Sequence, residues 1–556
     1  MGIKGLARRL EPYSTRYSPE ELDGYTAIID GPGLAYEAHK FALGTTANQL
    51  RIPSYHDINN AALSWLNALE DQGIKVSTIL FDGALPESKQ AERLSRTEQN
   101  NRRVQQLRAS YATTACPIPT YLGSASYAFL APSLREALAD SPFASRTRIV
   151  PGEADDSCAL FAKDVPRSII FTSDTDLLLF DYPPETLIVL FQDDELPTGL
   201  KAHSPYEITK KLQLKSLVPF AYAIQERSSE VQDDLVSDAR NMNMDSESFM
   251  DFSRRYVAAV VAPIYLGQYS GLDTPLQALD VRIFEFIHRA LIKAPTLSVY
   301  LPLLVEDPNQ ASAWNIARDV RILSYSLLTP PASTVQEYRR KAQGISPQEI
   351  STYSANSIQV PVKELELRIG ALMKWAESRN MSQPLLWSLI ALSMILAELN
   401  TPPSVPLMIR VLNGEFDNSW AFVQLTARLH AAIYSLRMLK QTIDVWLAIN
   451  SDTTSTLHGS ISGLQKHMAA FPSIADPFIV PGQSKRVLMT TEALRELVEE
   501  IYMSVGVEVP TEQVSNKKKK RQAREAERKK KKTDQRLQGT SKGTNTFDLL
   551  NDAALG

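Results

Sequence analysis

Four apolar segments of strand length, separated by helical patterns, constrain the fold of this chain more than any other feature. The segments occupy residues 25–30, 76–82, 168–174 and 187–191. Helical patterns lie between them, including those at 56–69 and 153–163. Short apolar strands that alternate with helices are typical of a parallel sheet with both faces covered. The first two hundred residues therefore predict an α/β domain.

Acidic residues lie where these predicted strands end. The first three segments end in aspartate, and other carboxylates follow them, so that the candidate set is Asp30, Asp82, Glu153, Asp155, Asp174 and Asp176. The carboxyl ends of parallel strands share one edge of a sheet, where these charges would repel each other unless a cation neutralised them. Oxygen ligands suit Mg²⁺ or Mn²⁺, and two such ions ~3.5–4 Å apart are a common clamp for attack on a phosphodiester. The alternative is that each residue only caps the turn or helix that follows it.

The chain from about residue 216 to 503 has a helical pattern almost throughout. Six apolar residues recur at three- and four-residue spacing and predict one helix face: Phe422, Leu425, Leu429, Ile433, Leu436 and Leu439. A stretch rich in Pro, Ser, Thr and Gln at 329–361 predicts a loop or hinge. The uncharged stretch 380–397 has an apolar part shorter than the ~20 residues of a membrane span, which favours a buried core helix.

A basic tail follows an otherwise acidic chain. Residues 511–540 hold 12 Lys/Arg and 4 Asp/Glu, a net charge of +8, whereas the whole 556-residue chain carries −4. So polar a segment is predicted to be disordered. Its basic clusters at 517–521 and 528–532 resemble a bipartite nuclear-localisation signal, and they could also bind nucleic acid or only solubilise the chain. We expect a nuclear protein, and otherwise a cytoplasmic one.

Five sequence blocks carry a resemblance to a known family. In chain order they are Met1–Leu6, Ile29–Gly31, Phe81–Gly83, Pro151–Ser157 and Thr172–Asp176. This order resembles that of the flap-endonuclease/XPG nuclease superfamily and covers residues 1–225. The long helical C-terminal part, without a clear helix-two-turn-helix motif, is similar to the Asteroid branch.

The resemblance implies a PIN-like α/β core that cuts structured DNA with divalent metal. It implies that the six carboxylates are metal ligands and that Gly2, as the chain start after methionine removal, lies near bound DNA. Lys89 and Arg96 match the positions where the family has basic residues near the scissile phosphate. The segment 84–125 would form an arch over single-stranded nucleic acid.

Six residues are candidates for contact with nucleic acid, and all but the first lie in the arch-like segment: Gly2, Lys89, Arg93, Arg96, Arg102 and Arg103. Guanidinium groups could neutralise phosphates there, and Tyr111 or Tyr121 could stack on a base. The residues alone also fit a solvated surface helix, because glutamates are interspersed among the arginines.

Two features of the family are not recognisable in this sequence. The seventh carboxylate would fall near Arg227, after the apolar helix 217–224, where Glu226 or Asp233 could substitute for it. The second feature is the family's glycine-rich, potassium-binding turn, which binds duplex DNA. Both gaps favour a catalytically degenerate protein, whereas the six retained carboxylates favour an enzyme.

The predicted fold is α/β: a PIN-like parallel-sheet nuclease core, then a large all-helical region and a disordered basic tail. The predicted units are a core at 1–225, helical regions at 226–328 and 362–508 around the loop or hinge at 329–361, and a tail at 509–556. The predicted function is that of a structure-selective nuclease with two Mg²⁺ or Mn²⁺ ions, in DNA repair. Its predicted partners are structured or single-stranded nucleic acid, DNA rather than RNA, and a protein on the helical region, with no membrane. The alternative is a nuclease fold that binds nucleic acid or protein without cleavage.

Overall fold

The computed structural model describes residues 2–46, 51–113, 115–193, 198–257, 263–269, 271–451 and 455–510. The strands in these residues are β1 (Thr15–Tyr17), β2 (Thr26–Asp30), β3 (Lys75–Phe81), β4 (Thr147–Ile149), β5 (Ser168–Thr172), β6 (Leu187–Leu190), β7 (Leu200–Ala202), β8 (Leu297–Tyr300), β9 (Thr334–Lys341) and β10 (Gly344–Ser351).

The helices of the first half are α1 (Leu6–Leu10), α2 (Pro19–Leu22), α3 (Gly31–Thr46), α4 (Tyr55–Asp71), α5 (Gln90–Ser110), α6 (Leu130–Ala139), α7 (Ala154–Asp164), α8 (Pro205–Leu212), α9 (Val218–Glu226), α10 (Gln232–Arg240) and α11 (Glu247–Ser253). Those of the second half are α12 (Asp273–Gln277), α13 (Val281–Leu291), α14 (Arg318–Leu328), α15 (Gln359–Glu377), α16 (Gln383–Glu398), α17 (Val405–Asn413), α18 (Trp420–Ile449), α19 (Thr456–Met468) and α20 (Thr491–Ser504).

A five-stranded sheet forms the centre of the N-terminal part. Its order is β4-β3-β2-β5-β6, and every neighbouring pair is parallel. The chain fills one side of β2 with β3 and β4 and then crosses to the other side with β5 and β6. Such a switch in direction opens a crevice at the carboxyl ends of the strands. The predicted α/β core is confirmed.

Side chains of the strands alternate between two buried faces. Ile28 and Ile170 lie in a hydrophobic cluster on one face, whereas Ile29, Ile169 and Phe171 lie in a second cluster on the other. Helices cover both faces, so neither side of a strand meets water. This explains why the strands are apolar almost without interruption.

The C-terminal part is organised around α18. The six residues of the face predicted between 422 and 439 are all buried. Helix α16 contains the predicted core stretch and is buried from Leu385 to Leu396. The part of the chain that the structure describes holds no helix suited to crossing a bilayer.

The prediction of a loop or hinge at 329–361 is wrong, because β9 and β10 form a hairpin there and β8 joins β9 in parallel. The region after 216 is therefore not all-helical. The inward positions of β9 include Glu337, which is fully buried and bonded to the buried Arg321, with Oε2 and Nε 2.8 Å apart. A charged residue at a core position removes the apolar alternation by which a strand is predicted.

The domain boundary predicted at 225 does not follow the packing. Leu235, Phe249 and Tyr256 belong to the cluster under one face of the sheet. The other cluster extends from Leu22 to Tyr502 and joins the sheet to the C-terminal helices. The hydrophobic core therefore continues past 225. The predicted disordered tail lies, from 511 onward, outside the described residues.

Candidate metal centre at the sheet edge

The six candidate carboxylates stand at the carboxyl ends of four neighbouring strands. One ends β2, one follows β3, two begin α7 after β4, and two follow β5; together Asp30, Asp82, Glu153, Asp155, Asp174 and Asp176 form the carboxylate cluster. The parallel order β4-β3-β2-β5 brings them to one edge of the sheet.

Asp30 occupies the centre of this edge and is 6% exposed. Its Oδ1 accepts a hydrogen bond of 3.0 Å from the amide of Gly33, and its Oδ2 accepts one of 2.8 Å from the hydroxyl of Thr172. The close approach of Gly33 leaves no room for a side chain, since a Cβ there would overlap the Asp30 carboxylate. Asp30 is thus held rigidly across β2 and β5.

Backbone amides also hold two other members of the cluster. Asp82 Oδ1 accepts from the amide of Ala154 at 2.8 Å, at the start of α7. Asp174 Oδ1 accepts from the amide of Asp176 at 3.0 Å and caps a 3-10 turn. These carboxylates therefore cap backbone amides and also lie together at one edge of the sheet, and the capping hydrogen bonds fix their orientation.

Asp155 shows that the cluster is one electrostatic unit. Burial raises the pKa of Asp155 well above its usual range, and the negative charges of Asp30, Asp174, Asp82 and Glu153 raise it further. Carboxylates repel in this way only when they share a poorly solvated space. Four of the other five residues therefore lie close enough to Asp155 to repel it.

The other shifts have the same origin. Burial raises the pKa of Asp82 to about 7, and repulsion by Asp30 and Glu153 adds to the shift. Burial and the neighbouring Asp174 raise the pKa of Asp176 to about 6. A bound cation would remove this repulsion and lower these pKa values.

The donor set suits a hard divalent cation, because it offers carboxylate oxygens from four strand ends. Within the described residues, no three members of the carboxylate cluster place one oxygen each within 4.8 Å of one another.

The N-terminal segment closes one side of the cluster. Gly2 has φ +58°, and a Cβ there would stand 2.5 Å from Oδ1 of both Asp174 and Asp176. The amide of Ile3 donates to Asp176 Oδ1 at 2.9 Å. Gly2 thus lies beside the carboxylates, and its expected position near bound DNA stays a prediction.

Lys89 provides positive charge at the opposite side. Its Nζ lies 3.2 Å from Glu153 Oε1. Burial lowers the pKa of Lys89, but the charge and hydrogen bond of Glu153, together with the charges of Asp155 and Glu92, outweigh burial, and the net shift is upward. Asp156 lies next to this pair, and burial and repulsion by Glu153 raise its pKa to about 6. Asp156 belongs to the sequence block 151–157, but it is not one of the six candidates that the sequence predicts.

The position of the expected seventh carboxylate belongs to Arg227, whose Nη1 lies 2.9 Å from Asp238 Oδ2. Glu226 and Asp233 are exposed. A hydroxyl reaches the cluster instead from this part of the chain, because Tyr256 donates to Asp176 Oδ2 at 3.4 Å. No sequence motif pointed to Tyr256.

Arg93 has protein partners, and its expected contact with nucleic acid stays a prediction. Its Nη1 lies 2.6 Å from Oε2 of Glu285, which is 2% exposed, and its guanidinium lies 4.7 Å from the centre of the Tyr300 ring. Arg93 therefore neutralises a buried acid that lies 192 residues away in sequence.

The remaining basic candidates of α5 are more open. Arg96 pairs with Glu92, and Arg102 lies 3.7 Å from Glu98, so both are balanced by acids one turn away. Arg103 donates to the backbone oxygen of Tyr121 at 2.9 Å. The side chain of Tyr121 is 61% exposed and could stack on a base.

Helix α5 is docked on the C-terminal part along one side. Asn101 donates to the backbone oxygen of Gln343 at 2.9 Å, and Arg108 Nε lies 2.9 Å from Asp307 Oδ1. The segment 84–125 therefore contains a helix with one packed and one exposed face. It matches neither a free-standing arch nor a fully solvated helix.

Comparisons with known proteins agree with the family resemblance. A family profile described as "XPG domain containing" matches residues 126–352. Asteroid homolog 1 of Schizosaccharomyces pombe is 25% identical over 378 residues, which are 63% of this chain and 66% of that protein. The aligned part is thus slightly less than two thirds of the relative. The similarity to the Asteroid branch of the XPG superfamily is confirmed.

Solved structures of two protein–DNA complexes show more distant likenesses. Human GEN1 in complex with Holliday junction DNA is 14% identical, with 46% of this chain and 59% of that chain covered and a TM-score of 0.28. The catalytic core of Rad2 in complex with DNA substrate is 15% identical, with 47% and 86% covered and a TM-score of 0.27.

Proposed function

We propose that this Asteroid-like chain with an XPG-type domain is a divalent-metal-dependent nuclease that hydrolyses phosphodiester bonds. The observation that supports the proposal is the carboxylate cluster, in which acids from four strand ends share one poorly solvated space. Buried charges of one sign destabilise a fold when nothing compensates them. A cluster of this kind is therefore better explained by a cation site than by six separate caps.

The residues present suit two Mg²⁺ or Mn²⁺ ions held by the carboxylate cluster. When bound, such ions stabilise charge on phosphoryl oxygens and lower the pKa of a coordinated water. Lys89, next to Glu153, can attract a backbone phosphate to the edge of the cluster. Gly2 packs directly against Asp174 and Asp176, so the N-terminal segment borders the carboxylates that a nucleic-acid backbone would approach.

The substrate we propose is structured or single-stranded nucleic acid, DNA rather than RNA. The exposed face of α5 offers Arg102 and Arg103, with Tyr121 beside them for base stacking. The basic clusters at 517–532 support nuclear import, and a nuclear structure-selective nuclease would act in DNA repair.

A second candidate is binding without cleavage. Arg227, paired with Asp238, stands where the family resemblance leads one to expect a seventh carboxylate, and this favours a site with reduced metal affinity. The docked α5 would then serve as a binding surface, and the helical part as a platform for a protein.

Two variants on the same helix test the proposal. Asp155→Asn removes one charge from the carboxylate cluster, whereas Asp164→Asn alters an exposed aspartate at the other end of α7. Full-length protein is assayed on flap, fork and single-stranded DNA with Mg²⁺ or Mn²⁺. We expect Asp155→Asn to reduce cleavage by several powers of ten, on the order of the contribution of a metal ligand, and Asp164→Asn to have no effect.

The outcome separates the two functions. Binding of DNA by the wild type without metal-dependent cleavage would support the non-cleaving alternative. Cleavage that survives in Asp155→Asn would show that the carboxylate cluster is not the active site.

A further inference from the structure

A second group of metal-binding side chains lies at the outer edge of the main sheet, apart from the carboxylate cluster. Glu11 belongs to a 3-10 turn after α1, Asp193 to a 3-10 turn after β6, and His203 directly follows β7. Among the described residues, these three are the set of His, Cys, Asp and Glu whose ligand atoms all lie within 4.8 Å of one another. None of them belongs to the carboxylate cluster.

His203 is an unusual histidine. It is 0% exposed, and neither Nδ1 nor Nε2 has a hydrogen-bond partner in the described part of the chain. Its backbone is fixed, because its amide and carbonyl exchange two hydrogen bonds of 2.8 Å with Ile188 of β6. Burial lowers the pKa of His203, so its ring is neutral and can offer a lone pair. A buried polar atom without a partner destabilises the fold, and a ligand at this point would relieve that cost.

Asp193 has a second unpartnered atom at the same place. Its Oδ2 is buried without a hydrogen bond among the described residues, and its Oδ1 lies 3.4 Å from Nζ of Lys201. Lys201 also contacts Glu11, whose side chain is 51% exposed and gives access from solvent. The site therefore offers two open ligand atoms, one on imidazole and one on carboxylate, together with an accessible glutamate.

We infer that Glu11, Asp193 and His203 form a site for a transition-metal dication of the Zn²⁺ class. One imidazole nitrogen with two carboxylates is a donor set for Zn²⁺, Co²⁺ or Mn²⁺, whereas Mg²⁺ prefers oxygen ligands alone. The ion would join the turn after α1 to the edge strand β6 and to β7. Lys201 competes with it, because the ammonium group occupies the carboxylates that the metal needs.

Metal content measures the site directly and does not depend on nuclease activity. Full-length protein is dialysed against Zn²⁺ in a large excess of Mg²⁺, which occupies oxygen-only sites, and bound zinc is then counted. We expect the wild type to retain one zinc equivalent that His203→Leu loses. Lys201→Met should bind zinc roughly tenfold more tightly, because a positive charge within contact distance is removed. With Co²⁺, the wild type should show a visible absorption band that His203→Leu lacks.

Two control variants identify the ion's position. Asp82→Asn alters the carboxylate cluster and should keep the zinc. His56→Gln removes an exposed histidine that also contacts an acid, Asp476, at 3.1 Å, and it should keep the zinc as well. Zinc retained by His203→Leu, or no zinc equivalent in the wild type, would overturn the inference.

The melting temperatures of the metal-free variants show whether a variant that loses zinc is still folded. The ring of His203 makes no hydrogen bond among the described residues, so His203→Leu should melt no lower than the metal-free wild type. If that variant fails to fold, Glu11→Gln at the exposed ligand replaces it, and it should weaken zinc binding without changing the metal-free melting temperature. Unchanged zinc affinity in Glu11→Gln would contradict the site.

Discussion

Asp82→Asn should make the metal-free protein more stable while it abolishes cleavage. Burial raises the pKa of Asp82 from 3.8 to about 7, so the charged carboxylate is disfavoured in the folded state. When the pKa of a carboxyl group is higher in the folded than in the unfolded state, the group costs no stability at a pH below its unfolded-state pKa. The cost grows as the pH rises from there towards the folded-state pKa. Asparagine has no charge to lose and can still accept the hydrogen bond that the amide of Ala154 donates.

The size of the effect follows from the shift. A difference of about 3 pKa units, at 1.36 kcal/mol each, gives up to about 4 kcal/mol at a pH above 7. The gain should be small at pH 4 and disappear below it, where the carboxyl group is protonated in both states. Since unfolding of so large a chain spreads this energy over many residues, we expect a rise of a few degrees in melting temperature.

Thermal denaturation with a metal chelator, near pH 8 and near pH 4, measures this effect. Asp164→Asn is the control, because this exposed aspartate should change stability by less than about 0.5 kcal/mol. Added Mg²⁺ should stabilise the wild type more than Asp82→Asn, since only the wild type keeps the full ligand set. A variant that is no more stable than the wild type near pH 8 would refute the argument that the cluster stores electrostatic repulsion.

Other variants test individual contacts. Glu337→Leu should cost ~3–5 kcal/mol in the free energy of unfolding, because it leaves a buried arginine without its partner, and urea denaturation should show this loss. Gly2→Ala should reduce cleavage on the order of 10²-fold through displaced carboxylates, with an unchanged melting temperature; normal single-turnover rates would contradict the close packing there. Arg93→Gln should lower the free energy of unfolding but leave the affinity for single-stranded DNA unchanged, whereas Arg103→Gln should lower that affinity. A loss of affinity in Arg93→Gln and none in Arg103→Gln would show that Arg93 contacts the nucleic acid. Deletion of 516–556 should leave the melting temperature unchanged and flatten the salt dependence of DNA binding, by about 0.9 in log–log slope for every duplex phosphate that the tail no longer neutralises.

The central sheet and its acidic edge could be predicted from the sequence because both signals are local. A strand buried on two faces is a short apolar run, and Asp30 stands at the abrupt end of one such run. Parallel order then places the ends of the strands together without any knowledge of the loops. The same reasoning identified the start of α7 and the turn after β5.

Contacts between distant residues could not be predicted in this way. The local sequence around Arg93 indicates a free cation. Its partner, Glu285, lies 192 residues further along the chain and therefore gives no local signal. The sequence of β9 indicates a loop, because Glu337 occupies a core position that is tolerable only through contacts with Arg321, Arg339 and Tyr325. Tyr256 reaches Asp176 from a segment without a motif. In each case a tertiary partner reverses what the residue type alone indicates.

The shared core also affects how the chain can fold during synthesis. The hydrophobic cluster that begins at Leu22 is completed only by residues of α20, up to Tyr502. At ~5–20 residues per second, the ribosome needs on the order of a quarter of a minute to a minute to add the residues between β6 and Tyr502. During that time one face of the nascent sheet lacks part of its cover, so chaperones that bind apolar surfaces have a long interval in which to protect it.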